Sequence, residues 1–278
     1  MTISEFRYAH HPEDVKTYTT EKLREHFLIP TLFEDDTIRL VYTMYDRYIV
    51  GGAFPVSKPL VLETIDELKA DYFLERRELG IINVGGKGIV KVDGVVYELS
   101  KKEALYVGKG VKEVIFERSA DEQPYFYINS APAHHAYPTQ KVSKTDAEVI
   151  ELGEQRTANR RTLNKLIVNS IVKTCQLQMG LTELHEGNVW NTMPSHTHTR
   201  RMEAYFYFDL PEGQTVSHFM GQPHETRHIF MQGNQAVISP EWSIHSGCGT
   251  SNYSFIWGMA GENLDYGDMD AVPTAGLK

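Results

Sequence analysis

Residues 86–99 read Gly-Lys-Gly-Ile-Val-Lys-Val-Asp-Gly-Val-Val-Tyr-Glu-Leu. Two short valine-rich runs flank Asp93-Gly94, a dipeptide suited to the positive-φ turn of a two-residue hairpin. With Leu105-Tyr-Val-Gly-Lys-Gly110 following, the cadence is strand, tight turn, strand and glycine-bearing corner, as in a small antiparallel barrel. Arg227-His-Ile-Phe-Met-Gln-Gly-Asn-Gln-Ala-Val-Ile-Ser-Pro-Glu-Trp242 repeats that cadence in the second half. One barrel motif therefore occurs twice.

Working outward, β-rich runs begin at Thr37, Gly80, Glu113 and Tyr125, each bounded by Gly, Asp or Lys turns. After a polar joint at about Thr139 to Asn164, further runs begin at Cys175, Leu181, Ala204, Thr215, His228, Gln235 and Tyr253. Helical signal is confined mainly to the first thirty residues, where Pro12-Glu13-Asp14 opens an amphipathic stretch through about His26. The expected fold is mainly β: two antiparallel jelly-roll-like barrels, residues 1–150 and 151–278, behind a short N-terminal helical segment. Paired barrels of this kind shield sheet edges against each other or against another subunit, which favours an oligomer.

The 278 residues can bury a sizeable core, and 28 Lys plus Arg against 37 Asp plus Glu give a net charge of −9. That balance disfavours nucleic acid as a partner. No run approaches the ~20 apolar residues of a membrane span, and Met1 to Tyr8 lacks the apolar core of a signal peptide. A cytoplasmic protein with no membrane association is expected. Cys175 and Cys248 are too few for a disulfide framework and read as free thiols.

Seven of the twelve histidines (185, 196, 198, 218, 224, 228 and 245) fall within one stretch of about sixty residues. Alternation along a strand aims His196 and His198 at one point. Glu203 has the wrong parity to join them, so residues 199–202 must bend and return its carboxylate from the next strand. His245, behind Pro240-Glu241-Trp242, closes the set from a later hairpin. Three imidazoles and a carboxylate suit zinc, iron, manganese or nickel, with room for water or substrate.

His-x-His-x4-Glu followed by Gly233, Pro240 and His245 resembles the two motifs of cupins, and the doubled cadence looks like a bicupin whose first half lacks a metal site. Over nearly the whole length the chain resembles more closely the 5-keto-4-deoxyuronate isomerases of pectin breakdown. The resemblance is densest in Glu183 to His198, Gln222 to His228 and Ile238 to Met259. Trp242, where the second cupin motif usually has Gly, departs from the general pattern and agrees with the narrower one. The resemblance implies one zinc per subunit on His196, His198, Glu203 and His245, a homohexamer, and a small keto-uronate substrate. It further implies aldose–ketose interconversion of 5-dehydro-4-deoxy-D-glucuronate and 3-deoxy-D-glycero-2,5-hexodiulosonate.

That reaction needs a base at C2, stabilisation of the enediol oxygens, which a Lewis-acidic ion can give, and a proton returned to C1. Glu183, His185, Glu225 and His228 are the candidates for the base. Glu183 and His185 share a strand face and could line the barrel; a hydrogen-bonded supporting role is the alternative. For the substrate carboxylate a guanidinium fork is best, with Arg227 first, then whichever of Arg200 and Arg201 points inward. Tyr253 and Tyr205 are possible hydroxyl donors, although alternating aromatics also build cores. Another metal-dependent cupin activity, a sugar isomerase or an iron oxygenase, and a non-catalytic sugar-sensing cupin are the competing readings.

Overall fold

The computed structural model describes residues 1–119, 121–262 and 266–278. The protein is mainly β and has the doubled-barrel architecture of a bicupin. Asp93 and Gly94 both adopt positive φ, 45° and 82°, between strands Gly88–Val92 and Val95–Leu99, so the opening hairpin forms as its sequence dictates. Two helices stand near the N-terminus, Pro12–Val15 and Thr20–Phe27. The single amphipathic stretch expected there is thus broken, because Thr19 caps a new helix by accepting from the Lys22 N–H. No described helix is long and apolar enough to cross a membrane.

Each barrel pairs a seven-stranded sheet with a four-stranded one. In the first seven-stranded sheet, Thr2–Arg7 lies parallel to Thr37–Thr43 at one edge; the order continues through Ile49–Phe54, Phe126–Pro132, Arg77–Asn83, Ala104–Val107 and Gln140–Val142. In the second, the order is Glu148–Leu152, Arg161–Ile167, Gln178–Leu184, Ser254–Gly261, Arg201–Phe208, Gln235–Ser239 and, at the far edge, Leu28–Ile29 from the N-terminal region. Glu148–Leu152, which contains the expected boundary at residue 150, pairs with Arg161–Ile167. The region read as a polar joint thus holds three strands, two of them part of the second barrel. Charged and polar residues interrupt them, as in Glu148-Val-Ile-Glu-Leu, and hide them from a search for apolar runs.

The two seven-stranded sheets pack face to face. Tyr127 of the first stacks on Phe206 of the second, with ring centroids 4.6 Å apart. The buried Glu78 carboxylate crosses the same seam, accepting from the Cys175, Gln176 and Leu177 N–H groups and the Tyr106 hydroxyl. Strand Arg201–Phe208 is buried on both faces. Phe206 faces the seam, so alternation sends Arg201, Glu203, Tyr205 and Tyr207 into the second barrel. Arg77–Asn83 has the corresponding place in the first sheet but gives Leu79 and Ile81 to that barrel's apolar core. The inward residues of this strand are therefore one difference between the halves.

Gly258 lies where the two sheets meet, and a Cβ there would land on the Asn129 carboxamide, with the Tyr48 hydroxyl 2.7 Å away. Asn129 has little room to yield, because its Nδ2 donates to Tyr127 Oη and Ile128 O. Gly258→Val should cost about 1–3 kcal/mol of unfolding free energy through overpacking. Urea titration of the purified variant checks this, and an unchanged midpoint would show that the seam adapts.

Candidate metal centre

Strand His196–Thr197 ends before His198, and the chain bends through residues 199–200 before resuming at Arg201. This bend returns Glu203 on the next strand. His245 immediately precedes strand Ser246–Gly249. The four side chains converge, each offering one ligand atom within 4.8 Å of the others; among the described residues they form the one such group that could hold a metal. Glu203 Oε2 lies 2.9 Å from His198 Nε2 and 3.0 Å from His245 Nε2, while His245 and His196 bring their Nε2 atoms within 2.9 Å. His245, His198 and Glu203 are buried, at 0, 3 and 3 % exposure.

The donor atoms crowd one point. His198 donates its Nδ1–H to the Arg201 carbonyl at 2.9 Å, which turns Nε2 toward a Glu203 carboxylate oxygen. His245 places Nδ1 3.3 Å from Ser239 Oγ and also turns Nε2 inward. Burial pushes the His196 imidazole down to about 3, helped by His245, and lowers His245 too. Burial alone would raise the Glu203 carboxyl; the His245 charge and the His198 hydrogen bond reverse that and hold it well below the usual carboxylate range. Three imidazoles gathered round an ionised carboxylate are a donor set that fits a divalent ion.

A cavity of about 180 Å³ opens beside the cluster, with His196 and Glu203 in its wall. Tyr205, Thr192, Thr182, Arg161 and Arg201 contribute polar groups, and the apolar wall includes Phe255, Trp257 and Met259. Tyr205 Oη and Thr192 Oγ1 are 3.0 Å apart. Tyr266 and Met269 come from the C-terminal segment, which is tied down where Asp270–Ala271 pairs with His196–Thr197. Residues 263–265 of this segment lie outside the described residues.

The structure does not bring the expected bases to this cavity. Glu183 and His185 do share a face, but it is the outer one, because Thr182 is the residue of that strand that lines the cavity. Glu183 pairs with Lys102 at 2.7 Å and Lys144 at 3.4 Å, and His185 meets Thr162 Oγ1 at 2.8 Å. Glu225, Arg227 and His228 lie on the edge strand Glu225–Met231 of the four-stranded sheet. There Arg227 pairs with Glu225 and donates to the Lys16 carbonyl, and His228 is exposed. The adjacent arginines split: Arg200 is exposed beside Glu262, whereas buried Arg201 reaches the cavity wall and donates through Nη2 to Tyr266 O and Asp268 O. Tyr253 is core; its hydroxyl accepts from Asn191 Nδ2 and donates to Val189 O. Sequence reading missed Arg161 and Thr192 because sheet order and a turn, not spacing, bring them here.

Comparison with known proteins fits this geometry. A family model described as the KduI/IolB family matches residues 27–272. A curated relative from Formosa agariphila, a 4-deoxy-L-threo-5-hexosulose-uronate ketol-isomerase, is 64% identical over 275 residues, covering 99% of this chain and 98% of its own. Among solved structures, an IolB-like protein from Salmonella typhimurium superposes with a TM-score of 0.72 at 14% identity, covering 89% of this chain and 97% of its own. Bacillus subtilis oxalate decarboxylase gives 0.57 at 9% identity, covering 81% and 71%. At such identities these two likenesses establish the cupin fold alone.

The depressed imidazoles also set a pH dependence. Their ordinary value is near 6.5, and burial takes His196 and the fully buried His218 each to about 3. Unfolding lets both bind protons that the folded state refuses. Their contribution to stability is therefore complete above about pH 6.5 and is lost as pH falls toward 3. Chelated protein should show a thermal midpoint that declines steadily from pH 7 to pH 4. A flat profile would contradict the burial of neutral histidines.

Proposed function

The chain belongs to the KduI/IolB family, and from that premise we propose that it is a metal-dependent ketol-isomerase converting 5-dehydro-4-deoxy-D-glucuronate to 3-deoxy-D-glycero-2,5-hexodiulosonate in uronate catabolism. The observation that carries the reading is the shared wall: two residues of the ligand cluster, His196 and Glu203, also face a largely apolar cavity. Zinc is the proposed ion, held by His196, His198, Glu203 and His245, where it would act as a Lewis acid toward the carbonyl and hydroxyl oxygens. A homohexameric assembly, a cytoplasmic location and a first barrel serving as scaffold complete the proposal; the resemblance to uronate isomerases supports them.

The chain's own groups supply the proton chemistry. Glu203 is the only carboxylate in the cavity wall among the described residues. That position makes it the group that takes the C2 proton and returns it to C1. Burial keeps the Tyr205 phenol protonated, so the Tyr205–Thr192 hydroxyl pair can pass the remaining proton from O2 to O1. Phe255, Trp257 and Met259 exclude water while the enediol exists.

Purified protein should isomerise the keto-uronate, lose activity on chelation and regain it with zinc. Glu203→Gln keeps an oxygen donor but removes the base, so kcat should fall by about 10²–10⁴-fold. In deuterated water, the wild type should incorporate label at C1. Full activity in metal-free, folded protein would defeat the metal-dependent reading, and an active Glu203→Gln variant would move the base elsewhere.

A further inference from the structure

Arg161 begins the strand Arg161–Ile167 and lines the cavity. Two strands, Gln178–Leu184 and Ser254–Gly261, separate it from the Glu203 strand, so its backbone stands across the sheet from the ligand cluster. Among the described residues its guanidinium makes one hydrogen bond, from Nη1 to the Asn159 carbonyl at 2.7 Å, and forms no ion pair. The groups whose electrostatics reach it are the phenols of Tyr205, Tyr266 and Tyr253, which are neutral near pH 7. Among the described residues no carboxylate balances it.

A half-buried cation without a counter-charge is costly, and most of this guanidinium's donors remain available. Arg201, the other arginine in the wall, is committed to the Tyr266 and Asp268 carbonyls and holds the C-terminal segment over the mouth. The two arginines therefore do different work.

We infer that Arg161 is the anion anchor of the cavity, binding the carboxylate end of a short linear sugar acid whose carbonyl end lies at the His196–Glu203 side. This rests on the isomerase reading for the identity of the substrate, but not for the existence of an anion site. In a six-carbon keto-uronate the carboxylate is at the opposite end of the chain from C1 and C2. An anchor across the cavity from the ligand cluster thus fixes which end reaches Glu203 and rejects neutral sugars of equal length.

Two arms test it. In the first, D-gluconate, a linear six-carbon acid, should raise the thermal midpoint of the metal-loaded wild type; D-glucitol, its neutral counterpart, should not. Arg161→Met should abolish the gluconate effect without loss of metal or of unliganded stability, since it removes an uncompensated charge. In the second, Arg161→Met should raise KM for the keto-uronate about 10- to 100-fold while kcat falls less, and Arg161→Lys, which keeps charge but not the fork, should give an intermediate KM. Unchanged KM and a retained gluconate shift in both variants would overturn the inference. If the Met variant does not fold, the Lys variant decides by the same two readings. A gluconate shift that depends on Arg161 in a wild type unable to isomerise keto-uronates would uphold the anion site and reject the isomerase reading.

Discussion

Lone pairs converging in a space shielded from water are the constraint on which this structure depends. The Nε2 atoms of three histidines and one oxygen of Glu203 are aimed at one another, and two of the imidazoles are fixed by contacts from behind. A cation at that point would meet all four donors at once. The features around it keep the donors aimed: the bend after His198, the two-faced burial of Arg201–Phe208, and Arg201 itself, whose carbonyl orients His198 while its side chain holds residues 266 and 268. Backbone and side chain of one residue thus connect the ligand cluster to the segment covering it.

The two barrels share an architecture and differ in filling. Leu79 and Ile81 close the first interior, whereas Glu203 and Tyr205 on the corresponding strand hold the second one open and polar. Inward polar side chains on that strand, with the histidines brought in from neighbouring segments, distinguish the cavity-bearing barrel from the packed one. Buried imidazoles and phenols in that cavity remain neutral because the surrounding core denies them water.

Much of this was legible in the sequence. Spacing and parity at His196, His198 and Glu203 were enough to expect a bend and convergence, because both rest on local backbone geometry. Asp93-Gly94 declared its turn for the same reason. Glu183 and His185 show the limit: alternation says that they share a face but not which face is inward, since that depends on how the whole sheet curls. Arg161 shows another. It lies in a stretch that reads as a polar joint, and only the sheet order brings it to the cavity. Conversely, Glu225, Arg227 and His228 looked chemical because they were polar within an apolar hairpin; on an edge strand, that polarity is ordinary solvation.

Leu28–Ile29, from the N-terminal region, completes the edge of the metal-bearing barrel by pairing with Gln235–Ser239. Arg7 holds the same segment from the other side, donating to the His26 and Leu28 carbonyls. The edge of the barrel that carries the chemistry thus depends on a strand about two hundred residues away in sequence. Pairing over that separation carries a loop-closure cost, so the N-terminal region and the second barrel are linked in formation as well as in space.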